Sequence, residues 1–167
     1  MVLTKSELIA SLQNEVRILL HLAGKIDRGK LDYRPTPKQR STIELLRYLT
    51  MMGPSLVQVG KSGRFDPAAW SAGEAAADRL DFDQALAEIA AHTHVYATLF
   101  DDMADADFRA EIEPFGEKTS RGAFIVYYVL CGCAAYRTQL FLYLKACGRE
   151  ELTTMNLWAG VDAAPAV

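Results

Sequence analysis

The chain has 167 residues, 50% of them hydrophobic and 23% charged, with a formal net charge of -3 and a pI near 5.6. That length and apolar content fit one domain spanning residues 1–167 and burying about two-thirds of its unfolded surface, with no room for a second. The acidic balance removes the electrostatic case for nucleic acid or anionic lipid, both of which call for clustered Lys and Arg.

Lys5 and Glu7 precede any apolar run, so no signal peptide is expected. No uninterrupted apolar stretch is long enough to span a bilayer, and the expected location is cytoplasmic without membrane attachment. Cys131, Cys133 and Cys147 are odd in number and fall in one helical stretch, where Cys131 and Cys133 point about 200° apart and cannot bridge. Reduced, buried and inert thiols are therefore expected.

Thr4 with Glu7 forms a capping box that opens the first helix. Ile9, Leu12, Val16, Leu19, Ala23 and Ile26 then recur at steps of three and four, giving one core-facing stripe. His21 shares a face with Asn14, Arg17 and Lys25, which reads as solvated. Pro35 and Pro37 stop any earlier helix, and Ser41 with Glu44 makes a second capping box, so the second helix starts near Thr42. Gly53-Pro54 kinks or ends it. Residues 60–80 are rich in Gly, Ala, Ser and Pro but contain Phe65 and Trp70, which predicts a long crossover packed on one end of the fold.

The third helix starts near Asp81 or Asp83 and carries Phe82, Leu86, Ile89, Thr93, Tyr96 and Phe100 on one face. An acidic loop from Asp101 to Lys118 leads to the fourth and most apolar helix, about Ser120 to Ala146, stopped by Gly148. The chain beyond about residue 162 is expected to be loose. Helices near 4–26, 41–60, 82–103 and 120–147, with one long connection, predict an all-α four-helix bundle.

Two segments carry a family resemblance. Arg40-Ser41-Thr42-Ile43-Glu44-Leu45-Leu46-Arg47-Tyr48-Leu49 and Gly132-Cys133-Ala134-Ala135-Tyr136-Arg137-Thr138-Gln139-Leu140 resemble the metal-bearing helices of DinB-like bundles, as does Leu31-Asp32-Tyr33-Arg34-Pro35 before the first of them. The resemblance implies a DinB-like four-helix bundle with its long crossover between the second and third helices. In that family three histidines on the second and fourth helices hold a divalent metal beside an open position. Here the matching positions are Tyr48, Gly132 and Tyr136. Glycine offers no ligand, and a phenol is a poor ligand for a divalent ion at neutral pH, so neither metal nor other cofactor is expected.

A remodelled pocket between the second and fourth helices would draw on Tyr48, Tyr136, Gly132, Glu44, Tyr128, Gln139 and Arg137, with His92 the histidine best placed for the interior. The structural alternatives stand beside it. A tyrosine stripe at helical spacing also serves as core packing, Glu44 is already accounted for as a cap, and Arg137 and Gln139 can simply pin the helices together. His92 and His94 point about 200° apart and cannot chelate one ion together. The leading reading is a metal-free, small-molecule-binding or stress-related bundle with a tyrosine-lined pocket. The alternatives are a metal-dependent enzyme of thiol-transferase or hydrolase type with an atypical site, and a purely structural dimeric interaction protein. Surplus apolar residues on the fourth helix (Phe124, Val126, Tyr127, Leu130, Phe141, Leu142 and Leu144) predict a homodimer, the competing explanation being intrachain cover by residues 60–80 and 150–162.

Overall fold

The computed structural model describes residues 3–163. Five helices carry the fold: α1 Lys5–Ala23, α2 Thr42–Ser62, α3 Pro67–Ala77, α4 Phe82–Leu99 and α5 Arg121–Ala146. Four of them close a bundle in which α1 packs on α4, α4 on α2, α2 on α5 and α5 back on α1. The core runs down its axis through Leu12, Leu22, Leu45, Leu46, Ile89, Ile125 and Leu140, all fully buried. A two-stranded antiparallel ribbon, β1 Glu111–Ile112 with β2 Thr119–Ser120, bridges α4 to α5. Both expected capping boxes form, at Thr4/Glu7 and Ser41/Glu44, and Asp81/Gln84 supplies a third at α4.

Several local expectations are corrected. The 60–80 crossover contains a helix, α3, capped by the Asp66 carboxylate with Pro67 in its first turn and packed on α2. The buried face of α4 is Ala85, Ile89, His92 and Tyr96, with Phe82 and Leu86 only half-buried at its edge. His21 is covered: its side chain is 18% exposed under the C-terminal segment, and its ring faces Asn156 at 3.1 Å. Arg17 donates to the Ala159 and Gly160 carbonyls, and Lys25 pairs with Asp162, so the segment is tied to α1 up to that point. The loose end expected beyond 162 falls largely on residues 164–167, outside the described residues. Cys131 is exposed, contrary to the expected buried thiol.

Helix α5 is long and apolar enough to cross a membrane by length and composition. In the fold it is a bundle helix: Phe124, Ile125, Val129, Leu140 and Leu144 are buried, and its one mid-helix charge, Arg137, is buried with them. Its Ile125–Leu130 segment is π-helical. The wider turn shifts the register of everything before Cys131, so the adjacent residues Tyr127 and Tyr128 both reach the surface.

Gly53-Pro54 neither ends α2 nor stands idle. Pro54 has no N–H to give the Thr50 carbonyl one turn earlier, and His92 Nε2 of α4 donates to that carbonyl at 2.8 Å. Gly53 admits Tyr96, one turn along α4: a Cβ there would lie 2.0 Å from the Tyr96 hydroxyl. That hydroxyl also lies against the Cys133 thiol of α5, and burial pushes the thiol up to about 12. The Gly-Pro pair is thus a notch that seats α4 on α2 and brings α5 to the same point.

Gly53→Ala should destabilise the fold by about 1–3 kcal/mol through overpacking against a ring that cannot retreat, and Tyr96→Phe in the same chain should recover part of the loss. Urea denaturation of the two single variants and the double variant reads this; an unchanged midpoint in Gly53→Ala contradicts the notch.

Burial lowers the His92 pKa, against weaker opposing pulls from the Thr50 carbonyl and Glu88. The folded state therefore keeps His92 neutral where the unfolded chain takes up a proton, and stability is lost as pH falls through about 6.5. His92→Gln keeps a donor for Thr50 and removes the titration, so melting curves between pH 7 and about 5.5 should slope less in the variant than in the parent. His21, whose pKa burial also lowers, is present in both and cancels.

Candidate functional site

The second capping box fixes where α2 begins and so where Tyr48 points. Ser41 accepts from the Glu44 N–H, the Glu44 carboxylate accepts from the Ser41 N–H at 2.7 Å, and Arg34 completes the carboxylate at 3.0 Å. The Ser41 amide, with Arg34 behind it, holds the Glu44 carboxyl below the usual range, so it stays ionised. One turn further on, the half-buried Tyr48 ring meets Tyr136 of α5 at a centroid distance of 5.1 Å and Trp70 of α3 at 6.3 Å. The Arg40 guanidinium lies over it at 3.8 Å. Burial and the neighbouring Tyr136 hydroxyl raise the Tyr48 phenol above its ordinary range, which makes it a neutral hydroxyl at any physiological pH.

The cavity beside this ring holds about 350 Å³ and is bounded by Arg40, Glu44, Tyr48 and Met51 on one side and by Glu74 and Ala77 of α3 with its C-cap Asp78 on the other. It therefore opens between α2 and α3 and not in the α2–α5 groove. The groove is filled at that level: the Met52 thioether packs where a Cβ on Gly132 would make ordinary contact, at 3.5 Å. Gly132 thus faces α2 as expected but frames no space.

The other sequence candidates lie elsewhere. Tyr128 lies off the cavity wall, after the π-helical turn, in an aromatic group with Phe115, Phe124 and Tyr127 that reaches Trp70 through Phe65. Gln139 donates to the Tyr143 hydroxyl, which donates to the Arg40 carbonyl at 2.8 Å, so it holds in place the segment that carries Arg40. Arg137 points to the opposite side of α5. There it is buried, sits 2.8 Å from the Glu15 carboxylate without the alignment of a hydrogen bond, donates to the Leu157 carbonyl and lies under Trp158. His92 serves the α2 notch.

Arg40, Trp70, Glu74 and Asp78 are site residues that the sequence reading did not select. Arg40 immediately precedes a capping box, and Asp66-Pro67 ahead of an Ala-rich run is a helix-start signal that would have placed the other three on α3.

Chemically the cavity can bind. It offers a neutral phenol, a guanidinium held on an aromatic face and three carboxylates, while none of its lining residues is a histidine or cysteine able to move a proton or attack near neutrality. Nor do the positions matching the family's metal ligands fit a divalent ion. They present two phenols, one of them held protonated, and a residue without a side chain. Among the described residues no group of three or more His, Cys, Asp or Glu is placed to hold one.

No protein-family model and no curated protein matches the chain by sequence. In three dimensions it is similar to the crystal structure of YjoA, a DinB-like protein from Bacillus subtilis. The TM-score is 0.66 and the identity 18%, over 87% of this chain and 94% of that one. At that identity the likeness is one of fold, and the fold of this chain is the DinB-like all-α bundle.

Proposed function

We propose that this DinB-like bundle is a metal-free binding protein for a small cationic molecule, seated in the Tyr48 cavity between α2 and α3. The chemistry of the cavity wall carries this reading. Glu74 and Asp78 face the cavity without an ion-pair partner among the described residues, while the one cation on the wall, Arg40, is turned onto the Tyr48 ring. Glu44 is ionised but shared with Arg34. A ligand bearing an ammonium group would find two carboxylates and a phenol oxygen to donate to, in a volume suited to a metabolite-sized molecule.

Trp70 stands next to Tyr48 and reports on the cavity. In a Trp158→Phe background, its fluorescence should respond to small primary or quaternary amines and not to carboxylates of matched size. Tyr48→Ala should weaken that binding about tenfold or more, and Glu74→Gln should weaken it less. Amines that move neither Trp70 emission nor the melting temperature, or carboxylates that act equally well, would sink the reading. Metal analysis after a chelator wash tests its other half, since stoichiometric zinc, nickel or iron retained by the folded protein contradicts a metal-free site.

Gly132 separates a pocket in the α2–α5 groove from one beside α3. Because its Cβ position meets only Met52, at contact distance, Gly132→Ala should stabilise the protein by about 0.5–1 kcal/mol, the helix-propensity difference, and leave amine binding unchanged. Loss of binding in Gly132→Ala would return the ligand to the groove.

A further inference from the structure

A second cavity, of about 340 Å³, opens where the β1–β2 turn meets the start of α5, and it shares no lining residue with the Tyr48 cavity. Four of its lining residues are aromatic: Phe115 from the turn, and Phe124, Tyr127 and Tyr128 from α5. Tyr127 is 68% exposed, Phe115 and Tyr128 are exposed beside it, and Phe124 is buried. The exposed rings do not stack. Tyr127 stands at 88° to Tyr128 and Phe115 at 64° to it, with centroids 4.9 and 5.4 Å away, so the three form the walls of an open corner. Phe124 lies 4.6 Å from Tyr128 and 5.8 Å from Phe115 and anchors both to the core. The π-helical turn carries Tyr127 and Tyr128 to the surface together, and such turns are rare within helices and recur at functional sites. Single apolar side chains at a surface need no explanation, but several rings gathered around one cavity do.

We propose that this corner binds a trimethylammonium group. An aromatic face carries the negative side of the ring quadrupole, so several rings around one cavity attract a cation. Walls set at steep angles fit a compact, nearly spherical group and leave no parallel slot for a planar one. Charge agrees with this. Glu117 and Lys118 both line the cavity, but the Lys118 ammonium is paired with Glu111 at 2.9 Å, whereas Glu117 has no ion-pair partner among the described residues. The unbalanced charge on the wall is therefore negative. A primary ammonium is strongly hydrated and keeps its water in so open a site, while a methylated cation holds water weakly and gains more from the rings. The Tyr48 cavity differs in this respect, since its carboxylates accept hydrogen bonds from a ligand. A soluble choline-type molecule and a lipid headgroup present the same trimethylammonium chemistry.

Choline titrated into the isotope-labelled full chain, with the backbone amides followed by NMR, tests the site. The expected result is a saturable shift of the Phe115, Tyr127 and Tyr128 amides, and none with the uncharged tert-butyl isostere of choline. Tyr127→Ala should weaken binding about fivefold with an unchanged melting temperature, and Glu117→Gln about twofold. Tyr127→Phe should bind as the parent does, because the ring and not the hydroxyl holds the cation. Choline that leaves these amides unmoved overturns the proposal, as does an isostere that shifts them equally or a Tyr127→Ala chain that binds as tightly as the parent. Phosphatidylcholine vesicles separate the two sources: co-sedimentation that free choline displaces supports the site with a lipid headgroup in it, and choline binding without co-sedimentation supports it with a soluble molecule. Tyr48→Ala should leave the three shifts in place; shifts that vanish in that variant belong to the amine cavity and overturn the corner site, so the two readings fail separately.

Discussion

The carbonyl of Thr50 is the point on which the arrangement of the helices depends. Pro54 withdraws the hydrogen bond that an α-helix would give it, and a buried carbonyl without a donor costs about 1–3 kcal/mol. His92 supplies the donor from α4, which fixes the height of α4 against α2. Tyr96 then falls into the space that Gly53 leaves open and touches Cys133, which fixes α5 against both. Three helices are registered by two residues one turn apart on α4. The distance between Tyr48 and Tyr136 follows from that registration, since one lies on α2 above the notch and the other on α5 one turn beyond Cys133.

The opposite side of the bundle solves a different problem. Arg137 is 3% exposed, and a guanidinium that far from water needs partners. It has the Glu15 carboxylate, the Leu157 carbonyl and the Trp158 ring, two of which come from the C-terminal segment. Burial raises the Glu15 pKa, against the pull of Arg137, so the pair is a compromise between desolvation and attraction. The segment is in turn held by Arg17, by Asn156 and by Lys25, and Gly160 takes a left-handed φ of 60° where a side chain would collide with Ile18. Tail, α1 and α5 are thus closed together around one buried charge, while the Tyr48 side is left open and polar.

The site differs from a metal centre in its electrostatics as well as in its ligands. Three imidazoles would need a cation between them. Here a cation, Arg40, already lies on the Tyr48 ring, and the carboxylates of α3 stand across an empty width from it. On the reading proposed above, such a wall suits an organic cation that donates to the carboxylates. Its three carboxylates are not gathered into a group placed to hold a metal ion, among the described residues.

Local sequence determined the parts of this protein that depend on neighbours in the chain. The capping boxes at Thr4 and Ser41, the centre of the α1 stripe at Leu12, Val16, Leu19 and Ala23, the stop at Gly148 and the meeting of Tyr48 with Tyr136 were legible, because each follows from spacing along a helix or from positional likeness to DinB-like helices. Tertiary structure decided whatever required a partner from afar. That Gly53-Pro54 receives α4, that Met52 fills the space beside Gly132, and that His21 is covered by Asn156 depend on atoms about forty to more than a hundred residues away, which no local pattern names. The π-helical turn that sends Tyr128 away from the site could not be read from a 3.6-residue period, because it is a departure from that period. The cavity opens beside α3 for the same kind of reason: the groove it was expected to occupy is filled by a methionine whose direction only packing sets.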